Sequence, residues 1–63
     1  MITTKCYLNG QLHENCIVEM VNVCIRIVRI DAEGRTPLWF GFEKDAPKMG
    51  DAAEMEARRI KTP

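Results

Sequence analysis

The run Cys16-Ile-Val-Glu-Met-Val-Asn-Val-Cys-Ile-Arg-Ile-Val-Arg-Ile-Asp31 constrains this chain more than any other segment. Ile17, Val18, Val21, Val23, Ile25, Ile27, Val28 and Ile30 are β-branched, so they lose rotamer freedom in a helix and fit a pleated sheet. A helical stripe through Ile17, Met20, Val21, Cys24 and Val28 is the rival pattern, and the β-branching decides for strand. The run exceeds the usual strand length of about 3–10 residues, and Asn22 is the natural place for a bend or break. Apolar residues fall at both odd and even positions, so both faces ask for cover. A chain of 63 residues has little material to supply it, because so small a domain buries only roughly 60% of its unfolded surface. Val21, Val23, Ile25 and Ile27 are therefore expected at the centre of an oligomer interface, most simply a homodimer.

The flanking segments extend a sheet. Ile2 to Leu8 is a weakly alternating strand. Asn9-Gly10 is a strong hairpin signal, since a type I′ turn needs positive φ at both central residues. Asp31-Ala-Glu-Gly34 is a second turn, with Gly34 suited to a left-handed position. Arg35 to Glu43 returns as a strand, and Pro37 near its start places it at an edge or a strand end. Alternation sets Leu38, Phe40 and Phe42 on one face and Trp39 and Gly41 on the other. After a loop over residues 44–50, Asp51 to Lys61 forms a helix. Asp51 and Glu54 make a capping-box pattern, acids lie early and bases late, and Glu54 and Arg58 stand at i,i+4. Its apolar stripe of Ala53, Ala57 and Ile60, with Met49 just before, is thin. The expected fold is thus one α+β domain over residues 1–63, mostly β. It is an antiparallel meander of about four strands within residues 2–43, followed by one C-terminal helix over residues 51–61.

Composition excludes several functions. Nine basic and nine acidic residues cancel, so bulk charge does not draw the chain to nucleic acid or membrane. Glu19, Asn22, Arg26 and Arg29 interrupt the longest apolar run, well short of the ~20 residues of a spanning helix. The N-terminus lacks a charged leader followed by an apolar core. Three cysteines cannot close a disulfide framework within one chain, and buried reduced thiols fit a cytoplasmic setting. Cys6, His13, Cys16 and Cys24 carry zinc-type ligand atoms, but their wide spacing lacks a Cys-x-x-Cys knuckle, so no metal and no cofactor is expected. His13 near Cys16 lacks a third orienting group. Gly10, Gly34, Gly41 and Gly50 stand singly and build no phosphate loop. No enzyme activity and no small-molecule substrate is expected.

Binding roles remain. Arg26, Arg29 and Arg35 flank the second turn with Trp39 nearby, the residue types that pair with phosphates and stack on bases of single-stranded nucleic acid. Trp39 is suited to anchor a protein interface, and equally to lie covered by the C-terminal helix. If the helix covers the Phe face, Trp39 is left exposed or in a dimer seam. If it covers the Trp face, Phe40 and Phe42 need a partner.

In its length, its Met1-Ile2 start with Thr4-Lys5, Gly34, Phe40-Gly41-Phe42, Ala46-Pro47-Lys48 and a last helix ending near Ile60, the chain resembles the carbon storage regulator family. The resemblance implies a five-stranded, intertwined dimer with a C-terminal helix that binds messenger RNA at GGA-containing sites. Lys5-Cys6 stands where that family has an arginine pair, which adds Lys5 to the candidate binding residues. The family's RNA-binding arginine before the helix has no counterpart, since Gly50 to Glu54 has the pattern of a helix start. The expected function is a small self-associating regulatory protein that binds RNA or single-stranded nucleic acid. The alternative is a protein-binding module, such as a phage-type inhibitor of a host protein.

Overall fold

The computed structural model describes residues 2–61; Met1, Thr62 and Pro63 lie outside the described residues. The chain runs β1 (Thr4–Leu8), β2 (Gln11–Val21), β3 (Cys24–Asp31), β4 (Gly34–Phe42), a 3-10 turn (Glu43–Asp45), β5 (Lys48–Met49) and α1 (Asp51–Lys61). The strands form one five-stranded sheet in the order β4-β3-β2-β1-β5, and all its pairings are antiparallel. This is the expected α+β architecture, with one strand more than the meander. β5 occupies part of the expected loop, pairing Met49 with Cys6 and Lys48 with Tyr7, and it is too short to show a period.

Each turn has a chemical cause. Asn9 and Gly10 both have positive φ, 51° and 79°, as a type I′ turn requires. Asn22 (φ 57°) ends β2, and Val21 pairs with Cys24 across it. At the third turn the Asp31 carboxylate accepts the Glu33 N–H at 2.9 Å, an Asx turn. Asn15 also has a left-handed φ of 57°, inside β2. There Thr4 pairs with Cys16 but Cys6 with His13, so β2 carries one extra residue, a bulge. A second bulge lies in β4, where Ile27 faces Trp39 and Val28 faces Pro37, leaving Leu38 extra.

The sheet is strongly curled. A flat five-stranded sheet would set its edges about 19 Å apart, four spacings of ~4.8 Å. The link from β4 on one edge to β5 on the other is residues 43–47. With a 3-10 turn in it, that link reaches only about 16 Å. The edges must therefore bend toward each other over one face. On this concave face Cys6, Cys16, Ile25 and Ile27 are 0–2% exposed, with Leu8, Leu38, Trp39, Ala46 and Met49 packed around them.

α1 lies on the outer face. The register puts Lys5 and Tyr7 of β1 on the face away from Cys6. Lys5 Nζ meets Glu54 at 2.5 Å, and Lys48 Nζ meets Glu56 at 3.1 Å. The Gly50 N–H donates to the Lys5 carbonyl at 2.8 Å, and Ala53 and Ala57 are buried beneath the helix. The Tyr7 hydroxyl is buried there with no hydrogen-bond partner. The expected capping box does not form, because the Glu54 carboxylate reaches back to Lys5 and forward to Arg58 instead. The i,i+4 pair of Glu54 and Arg58 does form, at 2.9 Å.

Neither expected position of the helix is the observed one. α1 shares the outer face with Phe40 and Phe42 but covers its β1–β5 end. Trp39 is half-buried, covered by the curl of the sheet, and the Leu38 bulge turns Leu38 to the core rather than alongside the phenylalanines.

Candidate functional site

The register fixes the rows of the outer face. Val21, Cys24 and Phe42 form one row across β2, β3 and β4, and Glu19, Arg26 and Phe40 form the next. Phe40 is 59% and Phe42 52% exposed, and Val23, on the turn beside them, is 75% exposed. Val21 and Cys24 are half-buried. Behind the aromatic rows lies a shallow depression of about 230 Å³ lined by Glu19, Arg26, Val28, Arg35 and Pro37. Its floor is Val28, which is buried.

Glu19 organises the charge of this face. Arg35 Nη2 donates to its Oε2 at 2.6 Å and Arg26 Nε to its Oε1 at 3.2 Å. The hydrogen bond from Arg35, and then that from Arg26, hold the Glu19 carboxyl below its ordinary range. Two guanidinium groups on one carboxylate leave about one net positive charge on the face. That is far short of the basic patch that dominates nucleic-acid affinity.

The five residues expected to bind a partner do not converge. Arg26 and Arg35 share the outer face. Arg29 pairs with Cys16 in register and so points to the concave side, where its guanidinium lies 3.3 Å from His13 Nδ1. Arg29 Nε is 3.4 Å from Asp31 Oδ2, an ion pair without hydrogen-bond alignment. Lys5 is held by Glu54 at the start of the helix. The Trp39 ring lies across Gly41 within the core. The four residues expected at an oligomer interface divide as well. Ile25 and Ile27 are 2% and 0% exposed inside the protomer, so a partner cannot reach them. Only Val21 and Val23 remain accessible. By sequence alone, Phe40 and Phe42 are free only under one placement of the helix. The i,i+2 pair of aromatics was the available signal, and the position of α1 decided it.

The thiols sit apart from this surface. Cys6 and Cys16 are buried on the concave face, and burial pushes both thiols up, away from the nucleophilic or metal-ligating thiolate. Cys16 Sγ lies 3.7 Å from the carbonyl oxygens of His13 and Glu14. Cys24 is on the outer face, so the Cys6, His13, Cys16, Cys24 set is split. Among the described residues no three His, Cys, Asp or Glu side chains gather as a metal cluster. No helix among them is long and apolar enough to cross a membrane.

His13 has the one titration near neutral pH with a structural consequence. Burial, and then the Arg29 charge, lower its pKa from the ordinary 6.5. The neutral ring accepts from Arg29 through Nδ1, and protonation would set two cations together. The unfolded chain takes up the proton first, so stability is full above the unfolded pKa and falls as pH drops below it. Thermal melts between pH 7.5 and 5 should show Tm declining on acidification (pH values bracketing the ordinary histidine range), and His13→Gln should flatten that decline. An unchanged slope in His13→Gln would assign it to other groups.

In comparisons with known proteins the chain matches no family model, no curated protein and no solved structure.

Proposed function

We propose that this protein is a small non-enzymatic regulatory domain that works by protein docking and self-association through the Phe40–Phe42 corner of its outer face. One observation carries the reading. Two large aromatics, 59% and 52% exposed, stand beside Val21 and Val23, and the arginines of the same face are already engaged by Glu19. Contiguous exposed apolar surface of this kind marks interaction sites, and interface cores favour aromatics while excluding unpaired charge.

A second reading, binding of RNA or single-stranded nucleic acid, draws on Arg26 standing directly opposite Phe40. A guanidinium beside an aromatic on an open sheet face is a stacking platform for bases. Light scattering over a concentration series and a salt-dependent gel shift with short single-stranded RNA separate the two. The docking reading expects reversible association at high micromolar protein, weakened by Phe40→Ala, with no RNA shift at low salt. A strict monomer throughout would overturn self-association. A shift that weakens steeply with salt and is lost in Arg26→Ala would establish the nucleic-acid reading.

A further inference from the structure

β4 borders β3 on one side, and among the described residues no strand lies on its other side. The two hairpin turns around β3 tell which backbone groups are open there. Tight two-residue turns close on hydrogen-bonded pairs, here Val21 with Cys24 and Asp31 with Gly34. In an antiparallel ladder such pairs alternate with non-bonded ones. Counted from either turn, Ile25, Ile27 and Arg29 aim their backbones at β4, so Gly41 and Trp39 bond back to β3. Phe40 and Phe42 then turn their N–H and C=O groups outward. Pro37, opposite Val28, fits the same phase, because its missing N–H belongs to the open edge.

The two halves of this edge differ. Natural edge strands are blunted by charges, prolines and bulges. The first half of β4 has all three, in Arg35, Pro37 and the bulge at Leu38. The second half, Trp39-Phe-Gly-Phe42, has none.

On the docking reading above, we infer that the open half of β4 pairs antiparallel with the same segment of a second copy, about a two-fold axis through Gly41. Phe40 then faces Phe42 of the second copy, and Phe42 faces its Phe40. The outward N–H and C=O groups of both residues make the reciprocal bonds of a ladder. The phenylalanines become directly opposed cross-strand pairs on the outer face, a favourable arrangement. The two glycines meet at the axis, where non-bonded Cα atoms approach to about 4.5 Å. The row Val21, Cys24, Phe42 continues into Phe40, Arg26 and Glu19 of the second copy.

The pairing about Gly41 is self-complementary, as a two-fold interface demands, and the exposed area favours a second copy over another occupant. The protein also exposes 4717 Å², where a compact 7.2 kDa monomer exposes about 4100 Å². That surplus of about 600 Å² equals the share of each partner in the smallest standard interface. Its radius of gyration, 11.8 Å, likewise exceeds the roughly 10.6 Å of a compact chain of this length.

Phe42→Pro tests the seam. Phe42 has φ −71°, within the range proline imposes, and in the ladder phase above its N–H points out of the sheet edge rather than to β3. Phe42→Ala removes the same side chain but keeps the N–H. Sedimentation should show a wild-type dimer, a weakened Phe42→Ala dimer and a Phe42→Pro dimer weaker than that by at least about tenfold, or 1.4 kcal/mol. Both variants should melt together. Equal association of the two variants would overturn the edge pairing and leave docking at the phenylalanines standing, whereas a monomeric wild type would remove both. If Phe42→Pro fails to fold, cross-linking decides in a Cys24→Ser background. Phe40→Cys mixed with Phe42→Cys should oxidise to a dimer faster than either variant alone, and equal rates would refute the register.

Discussion

Ile27→Ala should strongly destabilise the protein, lowering its melting temperature more than any surface truncation does. Ile27 is 0% exposed at the centre of the concave core, between Val18 on β2 and Trp39 on β4. Truncating a buried isoleucine costs about 2–5 kcal/mol, the lost transfer energy plus the cavity it leaves. A domain of this length has a total stability of roughly 3–9 kcal/mol. A loss of about 3 kcal/mol lowers Tm by roughly 12–24 °C in so small a domain. The internal control is Phe40→Ala, a larger truncation at a residue 59% exposed, which should cost about 1 kcal/mol or less. Thermal melts of the two variants check the pair. A Phe40→Ala loss matching that of Ile27→Ala would mean that the core lies elsewhere.

The second large effect is expected at Gly41. A Cβ there would lie 2.8 Å from Trp39 Cη2 and 2.9 Å from Cζ2, closer than real contacts allow. Replacing glycine by alanine in a strand ordinarily gains about 0.4–1 kcal/mol by restricting the unfolded chain. Here the indole packs against the core and must be pushed off it to admit the methyl, so overpacking at about 1–3 kcal/mol outweighs that gain. Gly41→Ala should lower Tm and redshift the Trp39 emission as the ring is displaced toward water. In a Trp39→Leu background the same change should be neutral or stabilising, giving an interaction energy of about 1 kcal/mol or more in the double-mutant cycle. Additive costs would show that the ring and Gly41 do not touch.

These predictions rest on features that were unequally legible. Turns are local, and the residues that make them carry their own signal. Asn9-Gly10, Asn22 and Gly34 mark the three hairpins because positive φ favours Asn and Gly. The helix showed itself through its early acids and late bases. The bulges did not. Asn15 in mid-strand was the sole sign of the first, and nothing in Thr36-Pro-Leu-Trp39 marks the second. Yet the second bulge moves Leu38 from the phenylalanine face to the core. The capping box failed for a related reason. Its spacing is local, but the Glu54 carboxylate is won by Lys5, forty-nine positions away.

The candidate surface followed the same division. Both faces of the long apolar run did need cover, and the shortage of material did leave apolar surface over. Which residues were left over depended on closure of the sheet. Curling brings the edges together over Ile25 and Ile27, so two of the four residues expected at an interface are consumed by the core while Val21 and Val23 stay accessible. The helix, tied to Lys5 and Lys48 at the other end, leaves Phe40 and Phe42 bare.

By itself, then, the sequence determined the β-rich class, the turn positions, the helix and the presence of surplus apolar surface. All of these depend on neighbours a few residues apart or on composition. Only the tertiary structure decided where that surplus lies, because curl, bulge register and helix placement come from contacts between residues distant in the chain. No short-range pattern encodes those contacts.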